Sequence, residues 1–216
     1  MITCLIFDLD GTLLNTLEDL CDSVNFALSK FGYPEKSLEE VRCAVGNGVN
    51  VLFERVLPEG KCNPNFDLVV TTFKDNYKNN MCNKTKPYEG IIEVLKVLKD
   101  KGIQTAVVSN KFDDAVKSLC KRYFGDLIQV AIGENELAGI RKKPAPDSVF
   151  KVIEELHVDV EKVLYVGDSE TDVQTAKNAE IGCIGCIWGF RDKNILQNEG
   201  ARYIIESPKE ILDIVK

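Results

Sequence analysis

The chain has 216 residues, against a usual domain of about 150, so there is room for one full core and a second, smaller unit. Lys and Arg number 27 and Asp and Glu 34, a formal net charge of −7 with both signs dispersed along the chain, which is not the footprint of a nucleic-acid-binding surface. No apolar run has bilayer-spanning length, and the N-terminal MITCLIF meets Asp8 before a secretory core can form, so the reading is of a cytoplasmic chain that engages no membrane.

Residues 3–7 form a short apolar run and read as a strand buried on both faces. From 15 to 86 there is no strand-like run. Helix signals there cover 17–30, 37–45, 49–57 and 66–80, with Gly32, Pro34, Gly46, Gly48, Pro58, Gly60 and Pro64 as punctuation, which predicts an up-down bundle of about four helices. Ser37-Leu-Glu-Glu40 has the spacing of a capping box. Further on, helical patterns at 90–101, 113–123, 147–156 and 171–179 alternate with strand runs at 105–108, 127–132, 163–166, 183–188 and 202–205, and a helix at 208–215 closes the chain. This alternation predicts an α/β fold with a doubly wound, Rossmann-like parallel sheet built from 1–14 and 87–216, and an all-helical unit, 15–86, inserted after the first strand.

Eight cysteines are scattered along the chain, and without an export signal they read as reduced thiols. Cys183-Ile-Gly-Cys186 has redox spacing, but it sits inside an apolar run, and His157 is the one histidine available to complete a zinc site. Both cysteines therefore read as small hydrophobes in a buried strand.

The strong strands run into polar clusters: Asp8-Leu-Asp-Gly-Thr12, Ser109-Asn-Lys111 and Gly167-Asp-Ser-Glu-Thr-Asp172. The carboxyl ends of strands in an open parallel sheet form the ligand crevice, so these clusters converge on one site. Arg141-Lys-Lys143-Pro-Ala-Pro146, just before a helix, places a lysine within reach of the same edge. Asp8 and Asp10 point the same way if Leu9 stays extended, and with Asp168 and Asp172 four carboxylates would crowd one pocket. Such charge needs a cation, and an all-oxygen donor set favours Mg²⁺ over zinc. A calcium loop fits poorly, because Gly11 falls at the fourth loop position instead of the sixth and a strand precedes it. Magnesium beside a lysine and a hydroxyl suits phosphoryl groups, and two carboxylates supply an oxygen nucleophile and a proton carrier. Read singly, Ser109 could be a helix cap, Lys143 a solvated charge and Gly46-Asn-Gly48 a helix-breaking turn.

Together these residues resemble the haloacid dehalogenase superfamily. Asp8-Leu-Asp10-Gly-Thr-Leu is similar to its first motif, Ser109-Asn110 to its second, Lys143-Pro144 to its third and Gly167-Asp168-Ser-Glu-Thr-Asp172 to its fourth. The helical insertion, with Gly46-Asn-Gly48, Pro87-Tyr-Glu-Gly90 and Lys143-Pro-Ala-Pro-Asp147, resembles the branch that contains phosphoglycolate phosphatases. That resemblance implies a Mg²⁺-dependent phosphatase acting on a small phosphorylated metabolite through an aspartyl-phosphate. Asp8 would be the nucleophile and a metal ligand. Asp10 would be the acid and base, its carbonyl also on the metal. Ser109 and the Asn110 amide would hold phosphoryl oxygens, and Lys143 would neutralise charge shared by phosphate and Asp8. Asp168 would be the second carboxylate ligand, Asp172 a partner of the metal's ligands or of the lysine, and Thr12 a brace for its loop. Gly46, Asn47 and Lys111 would touch substrate. Other readings are a sugar-phosphate mutase of the β-phosphoglucomutase type, which usually carries an arginine where this chain has Asn47-Gly48-Val49, and a pyrophosphatase. Outside enzymes, a phosphoacceptor receiver domain would lack the large insertion after the first strand. The expected assembly is a monomer or homodimer.

Overall fold

Four consecutive apolar residues without alternation make a strand covered on both faces, and β1 (Cys4–Phe7) is buried at every position. In the computed structural model, which describes residues 1–135 and 139–216, β1 lies inside a six-stranded sheet. Its companions are β4 (Gln104–Phe112), β5 (Val130–Glu134), β6 (Val163–Gly167), β7 (Gly182–Cys186) and β8 (Tyr203–Ile205), in the order β5-β4-β1-β6-β7-β8 with every pair parallel. Two-residue strands, β2 (Leu14–Asn15) and β3 (Lys86–Pro87), pair with each other. Sequential connections step outward from β1 in one direction and then from β6 in the other, so the topological switch point lies between these two strands. Phe7 is level with Val107 of β4 and Val166 of β6. Asp8 and Asp168 therefore leave the sheet at nearly the same height, beside the stretch of β4 that carries Ser109, Asn110 and Lys111, which brings the polar clusters to one edge.

The chain clusters into two compact units, Met1–Leu14 with Pro87–Lys216, and Asn15–Lys86. The first holds the sheet with α5 (Ile91–Asp100), α6 (Asp113–Tyr123), α7 (Asp147–Leu156), α8 (Glu170–Asn178), α9 (Lys193–Asn198) and α10 (Ile211–Ile214). Ile6, Val108, Ile132, Val149, Tyr165 and Val173 share one of its buried clusters. The second is helical: α1 (Leu17–Lys30), α2 (Leu38–Ala44), α3 (Val49–Val56) and α4 (Phe66–Asn80), with α1 packed along α4 and α3 against α2 and α4. Phe53, Phe73 and Tyr77 form its aromatic centre, with ring centroids 5.3 and 5.4 Å apart. The Ser37–Glu40 capping box is present: the Ser37 hydroxyl accepts from the Glu40 amide at 3.2 Å, and the Glu40 carboxylate accepts from the Ser37 amide at 2.8 Å. Buried Asp19 accepts the amides of Lys84 and Thr85 at 2.9–3.0 Å.

Some boundaries differ from the sequence reading. β4 runs on through Ser109, Asn110 and Lys111 to Phe112, with its register against β5 shifting after Val108, so the second polar cluster is part of the strand. β5 begins only at Val130 because Gly125–Leu127 forms a 3-10 turn. β7 ends at Cys186, ahead of Trp188, and α9 carries one buried apolar residue, Leu196, too faint a stripe to read as a helix. All eight cysteines are free. Cys183 and Cys186, three apart on β7, point to opposite faces of the sheet, which is no geometry for a dithiol. No helix among the described residues is long and apolar enough to cross a membrane.

Candidate active site

Asp8 is the first residue beyond β1, and its amide donates to Val166 of β6 at 2.8 Å, tying the two strand ends together. Lys143 arrives from the loop before α7 and its ammonium is buried. It donates to Asp8 Oδ1 at 2.8 Å, to Asp172 Oδ1 at 2.6 Å and to the Tyr165 hydroxyl at 3.1 Å, and that hydroxyl donates onward to the Val108 carbonyl at 2.7 Å. The Lys143 backbone is fixed as well: its amide donates to Asn110 Oδ1 at 2.8 Å, while Asn110 Nδ2 donates to its carbonyl at 3.1 Å. The second oxygen of Asp172 accepts from the Ser169 amide at 3.0 Å and the Ser169 hydroxyl at 2.6 Å, which also caps α8. Asp168 accepts from the Thr12 hydroxyl at 2.9 Å and from the Phe190 amide at 2.7 Å. The second oxygen of Asp8 takes no hydrogen bond from any protein donor among the described residues.

Oxygens of Asp8, Asp168 and Asp172, all three residues buried, lie within 4.8 Å of one another. Three carboxylates then face one ammonium, and the electrostatics follow. Burial pushes the Asp8 carboxyl up to about 7, with Asp172 and Asp10 adding to the rise and Lys143 opposing it. Burial, then Asp172 and Asp8, hold Asp168 well above the usual carboxylate range, against the Phe190 amide and the Thr12 hydroxyl. Burial would lower the Lys143 ammonium, but Asp172 and Asp8 outweigh it and hold its pKa well above 10.5. Excess negative charge on an all-oxygen donor set fits a hard divalent cation. Glycines keep the space tight: a Cβ on Gly11 would lie 2.4 Å from Asp168 Oδ2, and one on Gly167 would lie 2.3 Å from the Asp172 Cβ.

The structure thus brings together Asp8, Lys143, Asp168, Asp172, Thr12 and Asn110. Asp10 differs in detail from the expected crowd of four carboxylates. The chain turns at Gly11, which has φ of +89°, and the Asp10 carboxylate lies outside the three-carboxylate group, accepting from Lys111 Nζ at 2.9 and 3.0 Å. Lys111, expected at substrate, spends its buried ammonium on that ion pair, its side chain only 4% exposed. Ser109 is buried, and its hydroxyl accepts from the Lys111 amide at 3.3 Å. Gly46 and Asn47 belong to the 15–86 unit, in the turn between α2 and α3, where Asn47 accepts from Arg55 at 2.9 Å. Sequence reasoning missed Tyr165, which looks like any strand aromatic, and the Phe190 amide, which has no side-chain signature. The parity of Tyr165 with Ile6 across the sheet was unreadable before the strand register was known.

The profile of the family described as haloacid dehalogenase-like hydrolase matches residues 5–186. A phosphoglycolate phosphatase of Pseudomonas putida is 33% identical over 213 residues, covering 96% of this chain and 75% of that protein. A phosphoglycolate phosphatase of Mannheimia succiniciproducens is 32% identical over 217 residues, covering 97% and 96%. A crystal structure from Lactobacillus delbrueckii subsp. bulgaricus superposes with a TM-score of 0.92 at 34% identity, covering 99% of this chain and 98% of that one.

Proposed function

Because this chain belongs to the haloacid dehalogenase-like hydrolase family, we propose that it is a Mg²⁺-dependent phosphatase that hydrolyses a small phosphomonoester of the phosphoglycolate type through an aspartyl-phosphate on Asp8. The observation that carries this reading is the Asp8 carboxylate: one oxygen is held by Lys143 at 2.8 Å, and the other has no protein donor among the described residues. An oxygen nucleophile needs one end fixed and one end available. Asp8 and Asp168, with the backbone carbonyl of Asp10, would hold the ion. When bound, Mg²⁺ supplies the positive charge that keeps buried carboxylates ionised and draws charge from phosphoryl oxygens.

The chain's own groups divide the remaining work. Attack of the available Asp8 oxygen on phosphorus forms the P–O bond and breaks the bond to the leaving alkoxide, which takes the proton that Asp10 carries in its carboxylic-acid form. Asp10, then an anion, accepts a proton from water as that water opens the aspartyl-phosphate, releasing phosphate and restoring Asp8. Lys111, ion-paired with Asp10, orients that carboxylate, and Lys143 balances the charge that Asp8 and the phosphoryl oxygens share. Ser109 and the Asn110 amide hold phosphoryl oxygens, while the Asn110 side chain fixes the Lys143 backbone. Asp172 aims Lys143. The 15–86 unit would select the leaving group, with Gly46 and Asn47 as its substrate contacts.

The phosphatase assay is phosphate release from 2-phosphoglycolate and a panel of sugar, nucleoside and inorganic di-phosphates, with Mg²⁺ and with EDTA. Asp8→Asn is expected to lower turnover by at least about a thousandfold, as loss of a covalent nucleophile does. Near-normal phosphate release by that variant overturns the reading. Phosphosugar isomerisation without phosphate release would favour the mutase; against it, Arg55 already donates to Asn47 and to the Ala44 carbonyl at 2.9 Å.

A further inference from the structure

The loop after β7 closes a ring of hydrogen bonds around Asp168. Trp188 Nε1 donates to the Thr12 carbonyl at 3.0 Å. The Thr12 hydroxyl donates to Asp168 Oδ1 at 2.9 Å. Two residues beyond the tryptophan, the Phe190 amide donates to Asp168 Oδ2 at 2.7 Å. Between them, Gly189 approaches so closely that a Cβ there would lie 2.4 Å from Asp168 Cβ, from its Oδ2 and from the Gly11 carbonyl oxygen. The same strand adds Cys186, whose thiol donates to the Thr12 hydroxyl at 3.8 Å. Thr12 is thus held at both its hydroxyl and its carbonyl, and each Asp168 oxygen accepts one hydrogen bond from the protein.

We infer that Trp188, Gly189 and Phe190 are positioning residues for the cation site: they fix the rotation of the Asp168 carboxylate and the height of the Asp8–Thr12 turn, so that the two cation-binding carboxylates are presented together. This rests on the proposed use of Asp8 and Asp168 to hold Mg²⁺. A ligand carboxylate aligned by its outer hydrogen bonds binds more tightly than one free to rotate. Trp188 is the chain's one tryptophan and its indole N–H is linked to Asp168 through Thr12, so its emission is expected to change when a cation is bound.

The test uses the full-length protein. Intrinsic fluorescence of the wild type is followed while MgCl₂ is titrated into EDTA-stripped protein, alone and with inorganic phosphate, and the Mg²⁺ dependence of phosphate release is measured for wild type, Trp188→Phe and Gly189→Ala. Expected results are a saturable change in wild-type emission at the Mg²⁺ concentrations that activate turnover. Trp188→Phe is expected to raise the half-saturating Mg²⁺ concentration about fivefold, the effect of one lost hydrogen bond, with kcat at saturating Mg²⁺ nearly retained. Gly189→Ala is expected to raise it further. A merely structural role would lower thermal stability and leave the half-saturating Mg²⁺ concentration where it was; that result, or wild-type emission indifferent to saturating Mg²⁺, overturns the inference. The wild-type titration needs no variant and decides the matter if either substitution prevents folding. Mg²⁺-responsive emission in a wild type that releases no phosphate from any substrate would overturn the phosphatase reading and leave this inference standing.

Discussion

Among the described residues, Lys143 is the one cation in direct contact with the three clustered carboxylates, and it contacts two of them. Replacing it with Met keeps the length of the side chain and removes the charge. Breaking a buried ion pair by deleting one partner costs about 3–5 kcal/mol, so Lys143→Met is expected to be strongly destabilised in EDTA, to regain part of the loss in Mg²⁺, and to have lost most of its turnover. Denaturant unfolding of the variant under both conditions checks this, and equal stability of variant and wild type in EDTA would count against the charge balance described above. Tyr165→Phe is the milder probe. It removes the hydroxyl that links Lys143 to the Val108 carbonyl, and is expected to cost about 1–3 kcal/mol, the range for leaving a buried polar group unsatisfied. Asp8, Asp168 and Asp172 were legible in the sequence because they follow buried apolar strands whose ends share one sheet edge, and Lys143 because its place just before a helix and the resemblance of Lys143-Pro144 to the third motif pointed to that edge. Tyr165 was not, because nothing in an apolar strand marks one hydroxyl as bearing on a lysine 22 residues away in sequence.

The local elements vary in how much their own residues determine. α6, α7, α1 and α4 fall on the residues their apolar periodicity indicates, since an amphipathic stripe bounded by turn residues leaves few choices. α2 is too short, at seven residues, to be stable by propensity alone, and its capping box supplies what its length does not. Ser37→Ala removes the acceptor of the Glu40 amide and is expected to cost about 1 kcal/mol. Because Ser37 lies in the 15–86 unit, proteolysis or hydrogen exchange should register the loss in α2 and not in the sheet; protection of α2 unchanged by the substitution would mean that packing on α1 and α3 holds it without the cap. The elements that escaped prediction share a cause. The far half of β4 is polar, α9 has one buried residue, and the 187–192 loop is positioned by hydrogen bonds to backbone and to Asp168. Tertiary partners made each of them, and a sequence window carries no record of such partners.

Across the sheet-bearing unit, the charge gathered at one edge sets how stability depends on pH. The Asp8 carboxyl stands at about 7 against an unperturbed 3.8, and Asp168 is raised as well, so without a divalent cation these two groups hold more protons in the folded protein than in the unfolded chain, and above pH 5, where the lowered surface carboxyls are ionised in both states, they set the slope. A carboxyl with a raised folded pKa contributes its stability fully below the unfolded value and loses it as pH rises through the folded value. The cation-free protein is therefore expected to lose stability steadily from pH 5 to 7.5, whereas an ordinary protein with salt-bridged carboxylates gains it over the lower part of that range. Mg²⁺ held by the ionised carboxylates is expected to reverse the trend, contributing about 2.7 kcal/mol at a hundredfold excess over its dissociation constant, with the larger increment at the higher pH because fewer protons must leave. Trp188 lies in the sheet-bearing unit, so thermal unfolding followed by its emission, in EDTA and in Mg²⁺ at pH 5, 6, 7 and 7.5, reports on that unit without contribution from the helical one. A melting temperature in EDTA that is flat or rises over this range, or a Mg²⁺ increment that shrinks with pH, would mean that the three carboxylates are already compensated by the protein itself, and the case for a divalent cation at this edge would fall.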